Sequence, residues 1–118
     1  MRVLVCGGRD FTDWDLLRET LTGLFEYEID AIIHGGAIGA DSLAGEFARA
    51  FGIEEVVFKA DWKKYGKAAG PIRNAQMPAE GKPDLVVAFP GGNGTSDMVK
   101  KAKAHGVTVM EVTSISIE

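Results

Sequence analysis

Three apolar runs in this chain stop at paired glycines. Val3–Cys6 ends at Gly7-Gly8, Ala31–His34 at Gly35-Gly36, and Leu85–Phe89, through Pro90, at Gly91-Gly92. Glycine carries no Cβ, so it allows positive φ and lets backbone N–H groups approach a bound group closely. Where such a loop opens a helix, those N–H groups and the helix dipole attract anions, phosphate above all. The strongest motif is Pro90-Gly91-Gly92-Asn93-Gly94-Thr95, in which Thr95 places a hydroxyl at an expected helix start, as N-cap, as ligand contact, or both. The second cradle, Gly35-Gly36-Ala37-Ile38-Gly39-Ala40-Asp41, ends on a carboxylate suited either to cap its helix or to accept from a ribose hydroxyl. After the first run come Arg9 and Asp10, a guanidinium able to clamp phosphate or a salt bridge between loops. These residue types suit the holding of a phosphate-bearing, nucleotide-type ligand.

The remaining polar candidates lie between Lys59 and Arg73, where five basic residues and one acid give a local excess on a chain of net charge −4. A basic loop on an acidic protein fits a small anionic ligand or a solvated surface; the overall charge argues against a broad nucleic-acid-binding face. Within and beyond that stretch, Trp62 and Tyr65 can stack on a base or pin the loop to the sheet edge, and Arg73, Asn74 and Gln76 can face the ligand. A single cysteine excludes an internal disulfide, and Cys6 reads as a small buried residue. One cysteine and two histidines without paired spacing provide no expected metal site, and no cofactor is expected. His34 reads as a hydrogen-bonded structural residue. The patterns of a P-loop, a dinucleotide-binding G-x-G-x-x-G and a serine-hydrolase elbow are all missing.

These loops need a scaffold that brings them to one rim. Short β-branched runs alternate with helical spacings: Trp14, Leu17, Leu21, Leu24 and Phe25 mark a first helix, with Thr12–Asp15 as its capping box, and Leu43, Phe47 and Phe51 a second. Val56–Phe58 follows as a third strand, and Pro71 is placed to open a short helix that Pro78 and Gly81 end. Leu85–Phe89 is a fourth, well-covered strand. Met98, Val99 and Ala102 face inward from the last helix, and Val107–Val112 is a fifth strand. The alternation predicts an α/β fold: one Rossmann-like, three-layer domain over residues 1–118, with a mostly parallel five-stranded sheet in order 3-2-1-4-5 and helices on both faces. In such a sheet every loop after a strand lies on the carboxyl edge, where open α/β folds bind ligands. No apolar run nears the roughly 20 residues that span a bilayer, and the first run is too short for a signal core, so a cytoplasmic protein is expected.

Taken together, Gly7–Phe11, His34–Asp41, Asp61-Trp62 with Tyr65-Gly66, Arg73-Asn74 with Met77, and Ala88–Thr95 resemble the YspA-like branch of the SLOG superfamily. That superfamily joins the DNA-processing protein Smf/DprA to the "lonely guy" phosphoribohydrolases. The resemblance runs from residue 3 to about residue 112 and implies a domain that binds nucleotides or nucleotide-derived signals, in a homodimer or higher assembly. It implies a ligand site built from Gly7, Gly8, Arg9, Asp10, Gly35, Gly36, Gly39, Ala40, Asp41, Trp62, Arg73, Asn74, Pro90, Gly91, Gly92, Gly94 and Thr95. In the phosphoribohydrolases a glutamate follows the Pro-Gly-Gly-x-Gly-Thr turn and helps cleave an N-glycosidic bond; Met98 occupies its place here. A thioether can neither move a proton nor stabilise an oxocarbenium ion. The resemblance therefore implies binding, sensing or sequestering an ADP-ribose-type or other nucleotide ligand. Hydrolysis of nucleoside 5′-monophosphates is the alternative, with Asp41, Asp61 or Asp97 in the glutamate's role. A DNA-processing accessory is a further alternative.

Overall fold

The computed structural model describes residues 1–113, and all five strands lie in one parallel sheet. In chain order the elements are β1 (Arg2–Cys6), α1 (Trp14–Thr22), a 3-10 turn (Phe25–Tyr27), β2 (Ala31–His34), α2 (Ala40–Ala50) and β3 (Glu54–Val57). Then come α3 (Trp62–Tyr65), a second 3-10 turn (Gly66–Ala68), α4 (Ala69–Gly81), β4 (Leu85–Ala88), α5 (Asn93–Ala104) and β5 (Thr108–Glu111). The sheet order is β3-β2-β1-β4-β5, with Val3 opposite both Ile32 and Leu85. Reversal of direction on either side of β1 makes the β1/β4 boundary the switch point, where the carboxyl-edge loops diverge and a crevice opens.

Because successive strand residues face opposite ways, β1 feeds two cores. Val3 and Val5 join Leu17 and Leu21 of α1 and Ala44, Phe47 and Ala48 of α2 on one face. Leu4 and Cys6 join Met77 of α4 and Met98, Val99 and Ala102 of α5 on the other. Burying a side chain such as Leu17, fully shielded from solvent, contributes about 1.5–3 kcal/mol. Phe25 and Phe51 extend this core as an aromatic cluster with Phe47, the Phe47 and Phe51 centroids lying 4.5 Å apart.

The element boundaries differ from expectation where a local signal was met by a different partner. Asp13, not Thr12, caps α1, its Oδ1 accepting the Leu16 N–H at 3.0 Å. Helix α1 stops at Thr22; Leu24 lies at the N-cap of the 3-10 turn that follows, and Phe25 opens it. The third strand begins at Glu54 and leaves Phe58 outside it. Helix α4 runs for 13 residues through Pro78 rather than ending there. A proline so close to the helix end forfeits the N–H bond to the Asn74 carbonyl, and its ring is buried. Helix α5 starts after Gly92, so Thr95 stands inside the first turn and is not the N-cap. Among the described residues, no helix is long and apolar enough to cross a membrane.

Candidate functional site

The three glycine loops do meet on the carboxyl edge, and they meet each other first. The Gly8 N–H donates to the Pro90 carbonyl at 2.9 Å, and the Gly8 carbonyl accepts from Phe11 and Ala40 N–H groups, each at 3.2 Å. Gly39 has φ of +88°, and a Cβ there would collide with the Gly8 and Arg9 carbonyls. At Gly7 a Cβ would lie 2.6 Å from that of Ala40, and at Gly91 it would lie 2.7 Å from the Gly8 nitrogen. Much of the glycine content thus serves backbone-to-backbone packing between loops. That part of the pattern is structural.

The second cradle is filled by its own carboxylate. Asp41 sits in the first turn of α2 but does not cap it; Gly39 holds the N-cap position. Asp41 Oδ2 instead accepts from the Gly35 and Ala37 N–H groups, both at 3.2 Å, and the Ala40 N–H is held by Gly8. Burial pushes the Asp41 carboxyl above the ordinary aspartate value, opposed by the Ala37 bond, the electrostatic pull of His34 and Arg73, and the Gly35 bond. On the other side of this loop the Gly36 N–H donates to His34 Nδ1 at 3.0 Å, so the ring's other nitrogen carries the proton toward Glu55 Oε2, 2.6 Å away. Glu55 lies below the ordinary glutamate value, first because of that His34 bond, which with a second bond from Arg49 outweighs a burial cost. His34 is a structural residue here.

A cleft of about 610 Å³ opens between the β1 loop, the first half of α4 and the start of α5. It brings together Gly7, Gly8, Arg9, Asp41, Trp62, Arg73, Asn74, Gly92, Gly94 and Thr95, with Asp97 and Met98 beneath. The other expected residues lie around it. Asp10, Pro90 and Gly91 line a shallower hollow beside Gly8 and Arg9. Gly35, Gly36, Gly39 and Ala40 stand behind the wall, and Asp61 caps α3 through the Lys64 N–H at 3.1 Å, away from the cleft. A further hollow of about 570 Å³ lies on the β5 side of α5, but Arg9, Trp62 and Arg73 do not reach it.

Within the cleft, two side chains are held by the protein before any ligand arrives. Arg73 Nη1 donates to the Gly35 carbonyl at 2.5 Å and Nε to Asn74 Oδ1 at 3.0 Å; Nη2 has no protein acceptor among the described residues. Asn74 is buried and donates in turn to Asp97 Oδ2 at 3.0 Å and to the Gly94 carbonyl at 3.3 Å. Lys101 completes this brace, reaching Asp97 Oδ2 at 2.7 Å and the Pro71 carbonyl at 3.0 Å. Its i,i+4 spacing from Asp97 is the signal in the sequence that could have revealed this pair. Burial would raise the Asp97 carboxyl, but the Lys101 and Asn74 bonds and the charges of Lys101 and Lys100 outweigh it and hold it below the ordinary value. Cys6, beneath the cleft, has its thiol pushed up to about 12 by burial and the charges of Asp41 and Glu111, so it is no thiolate at neutral pH. Met98 is 1% exposed and belongs to the core.

At the start of α5 the balance is different. The N–H groups of Asn93, Gly94 and Thr95 have no acceptor within the helix, as the first turn of any helix requires, and none elsewhere among the described residues. A Cβ at Gly92 or Gly94 would meet nothing within 4 Å. Trp62, half exposed, presents its ring to the same space. Among the described residues no group of three or more His, Cys, Asp or Glu is placed to hold a metal ion.

Residues 1–65 match a family described as the YspA, cpYpsA-related SLOG family. The chain is also similar to the Gene 61 protein of Mycobacterium phage D29, 35% identical over an aligned length of 120 positions, with 92% of this chain and 94% of that protein covered. Such membership supports a nucleotide-related binding or processing role in general terms. With the expected sheet order in place and the family's glycine motifs gathered on one rim, the chain belongs to the YspA, cpYpsA-related SLOG family.

Proposed function

We propose that the protein binds a nucleotide or nucleotide-derived ligand, with a phosphate on the N-terminus of α5 and the rest of the molecule between Trp62, Arg73 and Arg9, and releases it unaltered. The observation that carries this reading is the contrast between the glycine loops. The Gly8 N–H and the Gly35–Ala37 donors already have protein acceptors, whereas the first N–H groups of α5 face open space in a cleft that also holds a preset guanidinium. Phosphate satisfies those donors and the helix dipole together. Asp41 argues against a second phosphate on the α2 loop, since its carboxylate already occupies the anion position there.

Calorimetry with AMP and adenosine tests the reading. AMP should bind at least about tenfold more tightly, the scale of one hydrogen bond to a charged group. Equal affinities would remove the phosphate role. One observation favours the hydrolase alternative enough to deserve a readout in the same experiment: Asp97 lines the cleft beside Met98. Its ion pair with Lys101 and lowered carboxyl make it a poor proton donor, so the nucleotide should be recovered intact after long incubation. Steady release of free base, abolished by Asp97→Asn, would make the protein a hydrolase with a relocated carboxylate.

A further inference from the structure

Buried Asn74 joins two parts of the cleft, the Arg73 guanidinium on α4 and the first turn of α5. Its amide has a donor end and an acceptor end, and its neighbours decide which end lies where. The Asp97 carboxylate, held below the ordinary aspartate value, is ionised at neutral pH and can only accept, so it takes Nδ2 at 3.0 Å. The Gly94 carbonyl shares that nitrogen at 3.3 Å. Oδ1 is left for Arg73, whose Nε–H donates to it at 3.0 Å. With Nη1 on the Gly35 carbonyl as well, the planar guanidinium is fixed at two points, and Nη2 has no protein acceptor among the described residues. Asp97 stands in a costly place for a carboxylate. It lines a cleft read as taking an anion, and its charge opposes that anion. Lys101, one turn along α5, offsets the charge from 2.7 Å, but the pair is partly exposed and its ammonium also serves the Pro71 carbonyl at 3.0 Å. What Asp97 supplies in return is the shorter of the two bonds that hold the Asn74 amide.

We infer that Asp97 is a positioning residue: without touching the ligand, it sets, through Asn74, the plane in which Arg73 presents its guanidinium to the cleft. The inference rests on the ligand-binding reading above and gives Asp97 a part in it that needs no proton transfer. Without the carboxylate, the Asn74 amide keeps only the longer bond to Gly94 and swings with Arg73 instead of holding it. Charge and positioning then pull in opposite directions. Removing a negative charge from an anion cleft tightens binding; removing the support of its guanidinium loosens it.

Two measurements separate these effects. In the ligand-free protein, the Arg73 Nε–H resonance, identified by its loss in Arg73→Ala, reads the anchor directly. Asp97→Asn keeps an oxygen that accepts from Asn74 and should retain the parent's signal. In Asp97→Ala the signal should shift, and its proton should exchange with water at least about tenfold faster, the scale of one lost hydrogen bond. Calorimetry with AMP is the second measurement. Asp97→Ala should bind AMP at least about fivefold more weakly than the parent, and Asp97→Asn at least as tightly. In an Arg73→Ala background, Asp97→Ala should cause no further loss, because the group it positions is gone. Asp97→Ser, whose hydroxyl falls short of Asn74, is the second variant and should behave like Asp97→Ala. An Nε–H signal that Asp97→Ala leaves unchanged overturns the positioning role alone. So does AMP binding that Asp97→Ala tightens, or an equal loss in both backgrounds, which would be a general loosening between α4 and α5. No binding of AMP by the parent overturns the ligand reading and this inference with it, whatever the Nε–H signal shows.

Discussion

Gly91 and Gly94 stand three residues apart in one motif and are glycines for opposite reasons. A Cβ at Gly91 would lie 2.7 Å from the Gly8 nitrogen and 2.9 Å from Thr95 Cβ, so Gly91→Ala should destabilise the fold by loosening the contact between the first and third loops. At Gly94 the same carbon would meet nothing within 4 Å. Gly94 is helical, so alanine there should raise stability by up to about 1 kcal/mol. If phosphate rests on the N–H groups of that first turn, however, the new methyl stands in its way. We expect Gly94→Ala to melt no lower than the parent and to bind AMP at least about tenfold more weakly. Unchanged affinity would move the phosphate away from α5. The sequence marks both glycines alike, because the difference lies in what approaches from a loop more than eighty residues away. For the same reason the sequence leaves two roles open for Asp41, and its actual bonds, to Gly35 and Ala37, rule out only the helix cap.

At the scale of elements, the strand order was legible because the apolar runs are short and alternate with helical spacings, which leaves few right-handed arrangements. The segment between β3 and α4 was not legible. A four-residue helix and a 3-10 turn are too short to show a period, and Pro78 is a stop signal that the end of α4 absorbs. The contact between α4 and α5 was hidden as well, since it depends on a chain of polar groups: Arg73 to Asn74, Asn74 to Asp97, Asp97 to Lys101, and Lys101 to Pro71. From sequence, Arg73 reads only as a residue that faces the ligand. Its bonds to the Gly35 carbonyl and Asn74 change that expectation. Arg73→Ala should therefore weaken nucleotide binding by about 1.5–3 kcal/mol and also lower stability by about 1–3 kcal/mol, through the unpaired groups it leaves. Melting curves and calorimetry on one sample separate the two losses. A drop in stability with full retention of affinity would make Arg73 a brace only.

Across the whole molecule, two carboxyls pull the stability profile in opposite directions with pH. Glu55 is held below its ordinary value by His34 and Arg49, so its contribution is fully present above the unfolded glutamate range and is lost as pH falls through the lower folded value. Asp41 is shifted the other way by burial, so the folded protein binds that proton more tightly than the unfolded chain does. The cost of its charge is absent below the ordinary aspartate value and grows as pH rises through the raised folded one. Two substitutions isolate these opposite slopes. Glu55→Gln should be less stable than the parent at neutral pH and converge on it as the buffer becomes acidic. Asp41→Asn keeps an oxygen for the Gly35 and Ala37 N–H groups and removes the buried charge; its stability relative to the parent should be greatest at neutral pH and should decline toward acid. Thermal melts of the three proteins from neutral pH down to about pH 3, below both ordinary carboxyl values, supply the comparison. The decisive quantity is the sign of each difference's slope, because any pH-independent packing change cancels from it. Parallel slopes for the two variants would show that Asp41 is stabilised as a carboxylate in the folded protein, and that the α2 loop is held by charge and not merely by its two hydrogen bonds.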